Sequence, residues 1–328
     1  MPITVVGSIA YDSVKTPFGE RERMLGGAAV HFALAASFFE DVHVVGPVGE
    51  DFGEQQLDVM RRRGVDVSDI ERVAGGKTFL WRGEYGWDLN SRETLDTQLG
   101  VFEGFQPKLS ESSRASDVLF LANIQPELQQ QVRNQMPHAR FVALDSMNLW
   151  IEIARDSLVS AIESVDCVIL NDAELRQLTG KPNLLSAARE VLSWGPKRGS
   201  GARGPSVIVA KQGEYGAALV TREGFFALPA YPLETVIDPT GAGDTFAGGL
   251  VGYIAAHQSM TASDEGLEEL PEGLLRRAMA HATVLASFNV EEFGTERVQR
   301  LTGREITDRI QELHAMTQFS GAPLTLRG

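Results

Sequence analysis

A series of short apolar runs, most of them followed by a segment with helical spacing, constrains the fold of this chain most. Apolar residues, many of them β-branched, fill consecutive positions in the runs at 3–8, 42–49, 117–122, 140–146, 166–171 and 206–211. Strands that are apolar on both faces are typical of a parallel sheet that helices cover on both sides. The segments with helical spacing are 27–39, 53–63, 126–135, 156–164, 172–179 and 184–194. The alternation predicts an α/β fold with a doubly wound, mostly parallel central sheet and helices on both faces.

Two segments, about 10–25 and about 75–105, interrupt this alternation. They contain alternating and aromatic residues, as in KTFLWRGEYGW, with no helix between them. We expect them to form antiparallel strands of a small sheet that acts as a lid on a single domain spanning 1–328.

The C-terminal part of the chain changes pattern as well. Three segments are typical of hairpin strands: YGAALV, GFFALPA and LETVID. Helices are predicted after them at 241–258, 272–288 and 304–316. The Gly- and Arg-rich stretch 195–206 is typical of a surface loop. No internal repeat or clear linker separates large domains.

The charge and the cysteine content exclude several classes of protein. The formal net charge is −14 and no basic stripe offsets it, which argues against a nucleic-acid or anionic-membrane partner. The lone cysteine, Cys167, rules out an internal disulfide and suits a reducing compartment. Because no segment is long and apolar enough to span a bilayer, and the N-terminal segment is not typical of a signal peptide, we expect a cytoplasmic protein.

The stretch DPTGAGDTFAGG, residues 238–249, combines a glycine turn with an acid at the start of a predicted helix. Gly241 and Gly243 allow backbone N–H groups to converge on one point, and the helix dipole favours negative charge there. Asp244 beside them is a candidate general base for a hydroxyl nucleophile. The alternative is an aspartate that merely caps a helix.

Further stretches follow one another in an order that is similar to the ribokinase-like carbohydrate kinases of the phosphofructokinase-B type. The similarity includes DPTGAGDTFAGG and extends over nearly the whole chain: GSIAYD, GGAAVHFALAA, VVGPVGEDFG, NDAE, KQGEYGA and HATVLASFNVEEFGT. The resemblance implies an ATP-dependent kinase in which Asp244 is the catalytic base. It also implies that the amides of Gly241, Ala242 and Gly243 form an anion hole for the transferred phosphoryl group.

The resemblance implies an acceptor site near the N-terminus. Asp12 would bind substrate hydroxyls, and Gly26 and Gly27 would let the sugar approach a helix start. His31 stands where many sugar kinases of this family carry Asn, so it would either contact a substrate hydroxyl or lie in the core. Asn148 follows a predicted strand at the edge where open α/β sheets bind ligands, which makes it a candidate substrate or phosphate contact.

The resemblance also implies a nucleotide and metal site. Asn171 and Glu174 would organise Mg²⁺, water and phosphates, with Glu174 acting on the metal through water. The residues expected beside the nucleotide are Lys211, Gly213, Gly216 and Asn289. Asp238 and Thr240 are candidates for a monovalent-cation site that would take K⁺. The alternatives are roles without a ligand: Glu174 would be a solvated acid in the first turn of a helix, and Lys211 would be a surface charge.

The predicted function is transfer of the γ-phosphate of ATP to a hydroxyl of a sugar or sugar-like polyol. A nucleoside kinase is the main alternative, because aromatic side chains of the lid could stack on a base: Phe79, Trp81, Tyr85 and Phe102. A nucleotide-binding protein without activity is less favoured, since the motif residues are intact. A dinucleotide-dependent oxidoreductase is disfavoured because GSIAYDS lacks the G-x-G-x-x-G pattern. By resemblance, we expect a homodimer formed through the lid.

Overall fold

The computed structural model describes residues 1–195, 204–258 and 270–318. The strands are β1 (Ile3–Val6), β2 (Ala10–Thr16), β3 (Gly19–Gly26), β4 (Val42–Gly49), β5 (Ile70–Val73), β6 (Phe79–Tyr85), β7 (Arg92–Gln98), β8 (Val118–Leu121), β9 (Phe141–Asp145), β10 (Cys167–Asn171), β11 (Val207–Lys211), β12 (Ala217–Thr221) and β13 (Phe225–Leu228). The helices are α1 (Ala28–Ala36), α2 (Glu54–Arg61), α3 (Glu111–Arg114), α4 (Pro126–Gln135), α5 (Asn148–Ile153), α6 (Arg155–Ile162), α7 (Asp172–Thr179), α8 (Leu184–Ser193), α9 (Ala242–Gln258), α10 (Glu272–Asn289), α11 (Glu296–Gln299) and α12 (Gly303–Thr317). Two short 3₁₀ helices cover Gly100–Gly104 and Gly213–Tyr215.

The large sheet has the order β13-β12-β11-β10-β9-β8-β1-β4-β5 within the described residues. The strands from β11 through β5 pair in parallel, whereas β12 and β13 are antiparallel additions at one edge. Strand order runs in one direction from β1 to β8 and in the other from β1 to β4. Open α/β sheets bind their ligands at such a reversal, outside the carboxyl ends of the strands.

Successive side chains of the parallel strands enter different hydrophobic clusters. In β8, Val118 and Phe120 pack with the layer that contains α1, α9 and α10, whereas Leu119 and Leu121 pack with the layer of α4, α6, α7 and α8. All four side chains are fully buried. The sheet is therefore covered on both faces, and the predicted α/β, doubly wound class is confirmed.

Most of the predicted elements are present, but β5 and the short helices α3, α5 and α11 were not predicted, and one predicted strand is absent from the main domain. Strand β5 escaped prediction because its sequence, IERV, is short and only half apolar. The predicted strand LETVID is wrong: residues 233–238 form no strand. Prolines flank the segment, and its end, Ile237 and Asp238, donates backbone hydrogen bonds to Val290 after α10 instead of to a strand.

The second sheet has the order β3-β2-β6-β7 and contains both segments predicted as a lid. Its pairings are not all antiparallel as expected: β2 pairs with β3 antiparallel but with β6 in parallel, because the chain crosses the main domain between them. Phe102 belongs to the 3₁₀ helix rather than to this sheet, and it stacks between Phe79 and Phe105 at ring distances of 5.6 and 5.8 Å. Phe102 thus supports the base of the small sheet.

Three further predictions concern a surface loop, membrane-spanning helices and the number of domains. Most of the predicted 195–206 loop lies outside the described residues. Among the helices that the structure describes, none has the length and hydropathy needed to cross a lipid bilayer. That 1–328 is one domain stays a prediction.

Candidate active site

Three neighbouring strands of the large sheet end in polar residues at the same edge. Asp145 ends β9, Asn171 ends β10 and Lys211 ends β11. Asn171 and Lys211 lie directly opposite each other in the parallel register. Because parallel strands share a direction, three residues that are distant in sequence meet at the carboxyl edge, where this fold class binds ligands.

The centre of this edge is a buried ion pair that the sequence did not reveal. Lys211 Nζ donates to Asp145 Oδ2 at 3.0 Å, and the two side chains are 17% and 6% exposed. Burial raises the pKa of Asp145, although the Lys211 charge opposes this effect. Lys211 also reaches the glycine turn, since a Cβ at Gly243 would lie 3.1 Å from Nζ. Lys211 is therefore no surface charge, and Asp145 orients it.

Asn148, chosen from the same stretch, is exposed at the start of α5. Its role as a substrate contact stays a prediction. The signal that could have identified Asp145 is its position as the last residue of an apolar strand.

Asn171 and Glu174 form a reciprocal cap at the start of α7. The Glu174 N–H donates to Asn171 Oδ1 at 2.7 Å, and the Asn171 N–H donates to Glu174 Oε2 at 2.8 Å. Burial raises the pKa of Glu174 to about 7, and the charge of Lys211 only partly offsets this. The cap uses one carboxylate oxygen of Glu174, so the structure gives both residues a local role at the start of α7.

The glycine turn at 241–243 leads directly into α9, which begins at Ala242. Gly241 has φ +75°, a left-handed conformation that favours glycine. The first N–H groups of a helix lack intrahelical partners, so the amides of Gly243 and Asp244 open the helix as donors. The amide of Ala242, which was also predicted for the anion hole, donates to the Pro239 carbonyl at 3.3 Å.

Asp244 lies half-buried in the first turn of α9. Burial raises its pKa, and Lys211 is the main opposing charge. A carboxylate whose pKa is raised by burial, with a lysine ammonium as the main opposing charge, is the arrangement expected of a proton acceptor in a dry cleft.

The buried side-chain amide of Asn289 bonds to residues on both sides of the glycine turn. Asn289 Nδ2 donates to the Thr240 carbonyl at 2.8 Å, and its Oδ1 accepts from Thr245 Oγ1 at 3.0 Å. Because this fixes Oδ1 as an acceptor, the contact at 3.1 Å makes His31 Nδ1 the donor. Asn289, predicted beside the nucleotide, thus ties the segment before the glycine turn to α1 and α9.

His31 is 2% exposed and packs beneath the glycine turn, where a Cβ at Gly241 would lie 2.2 Å from the imidazole ring. Burial lowers its pKa, so the ring is neutral and its Nε2 is an acceptor without a hydrogen-bond partner among the described residues. A substrate contact by His31 stays a prediction.

Asp12 approaches the glycine turn from the small sheet. Its carboxylate lies over Gly26, where a Cβ would be 1.9 Å from Oδ2, and the side chain is 6% exposed. Burial raises the pKa of Asp12 to about 7; a hydrogen bond from the Gly27 backbone opposes the rise, and the charges of Asp238 and Asp244 add to it. Asp12 therefore lies close enough to Asp244 for the negative charge of Asp244 to raise the pKa of Asp12.

Asp238 organises the loop between these groups. Its side chain is fully buried, and its two oxygens accept from the Thr240 and Gly294 amides, each at 2.9 Å. A monovalent cation at Asp238 and Thr240 stays a prediction. Gly213 and Gly216, also predicted for the nucleotide, bound an exposed turn between β11 and β12.

A family model described as pfkB family carbohydrate kinase matches residues 3–300 of this chain. The chain belongs to the pfkB family of carbohydrate kinases. As a member of this family it is a phosphotransferase that acts on a hydroxyl group.

Relatives of this pfkB-family kinase carry names of two substrate classes. A cytidine kinase of Thermococcus kodakarensis is 30% identical over 281 residues, which are 84% of this chain and 96% of the relative. A fructokinase of Klebsiella pneumoniae is 24% identical over 275 residues, covering 78% of this chain and 85% of the relative.

Solved structures of the ribokinase type share the fold of this pfkB-family kinase. The nucleoside kinase of Burkholderia thailandensis in complex with inosine has a TM-score of 0.71 at 20% identity, covering 95% of this chain and 99% of that one. The Arabidopsis thaliana ribokinase complexed with ribose and ATP has a TM-score of 0.72 at 19% identity, covering 94% and 98%.

The raised pKa of Asp12 predicts how the stability of this pfkB-family kinase depends on pH. The folded state binds a proton at Asp12 more tightly than the unfolded state, so this group favours folding at low pH. Its contribution is lost as the pH rises from the ordinary value of 3.8 towards about 7. Urea unfolding across this range should show that wild type loses stability relative to Asp12→Asn by up to about 1.4 kcal/mol per pH unit. Parallel curves for the two proteins would contradict the assignment, and Asp156→Asn on α6 serves as the exposed control.

Proposed function

We propose that this kinase transfers the γ-phosphoryl group of ATP to a hydroxyl of a sugar or sugar-like polyol. The observation that carries the proposal is the approach of two carboxylates from different elements. Asp12 reaches the cleft from the small sheet and Asp244 from the start of α9, close enough for the charge of Asp244 to raise the pKa of Asp12. One carboxylate can hold the acceptor while the other receives its proton.

The chemistry of these residues follows from their positions. Asp12 and the turn at Gly26 and Gly27 orient the acceptor with one hydroxyl towards Asp244. Asp244 accepts the hydroxyl proton as the oxygen attacks the γ-phosphorus of ATP and the bond to the leaving ADP breaks. The amides at the start of α9 stabilise the charge on the moving phosphoryl group, and Lys211 adds a fixed positive charge beside them.

The donor set fits a divalent ion bound mainly through phosphate. The described residues contain no group of three or more His, Cys, Asp or Glu side chains arranged to hold a metal. Mg²⁺ usually keeps several waters and binds through one or two carboxylates plus phosphate oxygens, and Glu174 and Asn171 would provide its protein contacts. When bound, Mg²⁺ would neutralise charge on the phosphates. K⁺ at Asp238 and Thr240 is the corresponding proposal for a monovalent ion.

A nucleoside acceptor is the second candidate, favoured by the inner face of the small sheet. Val14, Tyr85 and Phe293 form a cluster with partly buried apolar neighbours that include Met24 and Trp81. The partly buried side chains of this cluster, Met24 and Trp81, can pack against a nucleobase attached to the sugar. The relative named cytidine kinase is in keeping with this acceptor.

An ATP-to-ADP coupled assay with a panel of pentoses, hexoses, inositols and nucleosides tests the proposal. We expect acceptor-dependent turnover that requires Mg²⁺, with free sugars or polyols as the best acceptors. If only nucleosides are phosphorylated, the second candidate replaces the first. Tight ATP binding without turnover on any member of the panel would argue against the proposed acceptor classes.

We also propose a cellular location for the enzyme and a surface through which two copies pair. A cytoplasmic location would give it access to ATP. Strand β7 is exposed along its whole length at the edge of the small sheet, which makes it suited to pairing with a second copy of the chain.

A further inference from the structure

The C-terminal helix α12 places an arginine against the loop between α10 and α11. Arg309 Nη2 donates to Glu291 Oε1 at 2.6 Å, and Arg309 Nη1 donates to Ser287 Oγ at 3.0 Å. The guanidinium lies 3.5 Å from the ring centroid of Phe288 and 4.6 Å from that of Tyr231, and the side chain is 15% exposed. Two hydrogen bonds and two aromatic rings therefore fix the direction of this guanidinium.

A second arginine holds the other oxygen of the same carboxylate. Arg297 Nε, from α11, donates to Glu291 Oε2 at 2.9 Å, and Arg297 Nη2 donates to Glu305 Oε1 at 2.7 Å. Each oxygen of Glu291 thus accepts from an arginine of a different helix, and the Glu291 side chain is 23% exposed. Water and salt screen partly buried charge pairs less than exposed ones. Because rotation of the carboxylate would break at least one of these bonds, the two arginines restrain Glu291 in one position.

The backbone next to this carboxylate supports the segment before the glycine turn. The Val290 carbonyl accepts from the Ile237 amide at 2.8 Å and from the Asp238 amide at 3.3 Å. Asp238 in turn accepts from the Gly294 amide at Oδ2 and from the Thr240 amide at Oδ1, each at 2.9 Å. Since Thr240 directly precedes the glycine turn, a shift of the loop between α10 and α11 would displace the turn and the start of α9.

Helix α12 lies beyond residues 3–300, which the pfkB family model matches. The family match therefore does not account for the contact between α12 and Glu291. We propose that Arg309 is a positioning residue for the glycine turn before Asp244 and acts through Glu291. The inference rests on the proposed function of Asp244 as the proton acceptor. Phosphoryl transfer depends steeply on the alignment of the reacting groups, so a small displacement of this turn slows the reaction.

Arg309→Gln, Arg309→Lys and Arg304→Gln form the first test series. Arg304 is the matched control because it is also on α12, but its side chain is 89% exposed and lies 3.6 Å from Asp308. At a temperature at which all variants are folded, we expect Arg309→Gln to lower kcat roughly tenfold with the KM for the acceptor within about threefold of wild type. Arg309→Lys should recover part of the loss, since it keeps the charge but cannot make both hydrogen bonds. Arg304→Gln should match wild type.

The double variant Arg309→Gln/Glu291→Gln tests whether Arg309 acts through Glu291. We expect Glu291→Gln alone to lower kcat roughly 10- to 30-fold, and the double variant to stay within about twofold of Glu291→Gln. The proposal is overturned if the two losses multiply. It is also overturned if Arg309→Gln lowers the midpoint of thermal unfolding but keeps the kcat of Arg304→Gln.

Amide hydrogen exchange of the protein without substrate gives a readout that does not need turnover. We expect Arg309→Gln to speed exchange in peptides covering 237–245 and 289–295 at least about fivefold more than in a peptide covering β9. Equal acceleration in all three peptides would show that Arg309 only stabilises the fold, and would overturn the proposal. If wild type transfers no phosphate, the proposed function fails, whereas the exchange pattern still decides whether Arg309 holds the loop and the turn in place.

Discussion

Asp244→Asn is expected to lower acceptor-dependent ADP formation by about 10³-fold while nucleotide affinity stays within a few fold of wild type. The amide keeps the size of the side chain and its place in the first turn of α9, but it cannot accept a proton at neutral pH. The charge of Asp244 also raises the pKa of Asp12, so the variant should lower the pKa of Asp12 at the same time. Initial rates in the coupled assay and calorimetric titration with ADP measure the two effects separately.

Asp156→Asn is the matched control for this substitution. Asp156 is likewise an acid in the first turn of a helix, α6, but its side chain is exposed. We expect this variant to retain wild-type rates. Turnover of Asp244→Asn within tenfold of wild type would show that another group removes the proton, and the mechanism proposed above would then be wrong.

Gly27→Ala is expected to destabilise the fold by about 3 to 5 kcal/mol, through positive φ and steric overlap together. Gly27 has φ +95°, and its Cβ would lie 2.4 Å from the Ser8 carbonyl oxygen and 2.8 Å from the Ala10 nitrogen. Both neighbours are backbone atoms, one just before β2 and one at its first residue, so neither can rotate away. Urea unfolding measures the loss, and the acceptor KM should rise because the Gly27 amide that binds Asp12 must move.

Two other glycines separate the causes of this effect. Gly64 has φ +77° with nothing within 4 Å of its Cβ, so Gly64→Ala should cost only about 1 kcal/mol. Gly104 has open space and no positive φ in this range, and Gly104→Ala should leave stability unchanged within about 0.5 kcal/mol. If Gly27→Ala unfolds at the same urea concentration as Gly64→Ala, the backbone contact at Ser8 is not a constraint.

The sequence was sufficient to predict the layers of the main domain because hydrophobic periodicity is a local signal. Each predicted run between 3 and 211 contains a strand of the large sheet, and each fills both hydrophobic clusters with alternate side chains. The glycine turn before Asp244 and the cap of Asn171 and Glu174 are local as well, since each is complete within a few residues. The predicted strand LETVID failed because the composition of a segment does not say which neighbour is available for pairing.

The sequence by itself determined the fold class, the order of the strands in the chain and the stretch that begins α9. Only the tertiary structure decided which polar groups meet. Lys211 pairs with Asp145 across 66 residues of chain, and His31 reaches Asn289 across 258. Thr240 Oγ1 reaches the Tyr85 hydroxyl across 155 residues because β6 adds to β2 in parallel. These contacts depend on sheet order and on crossovers between distant segments. Sequence patterns indicate only which residues of one helix or strand share a buried face.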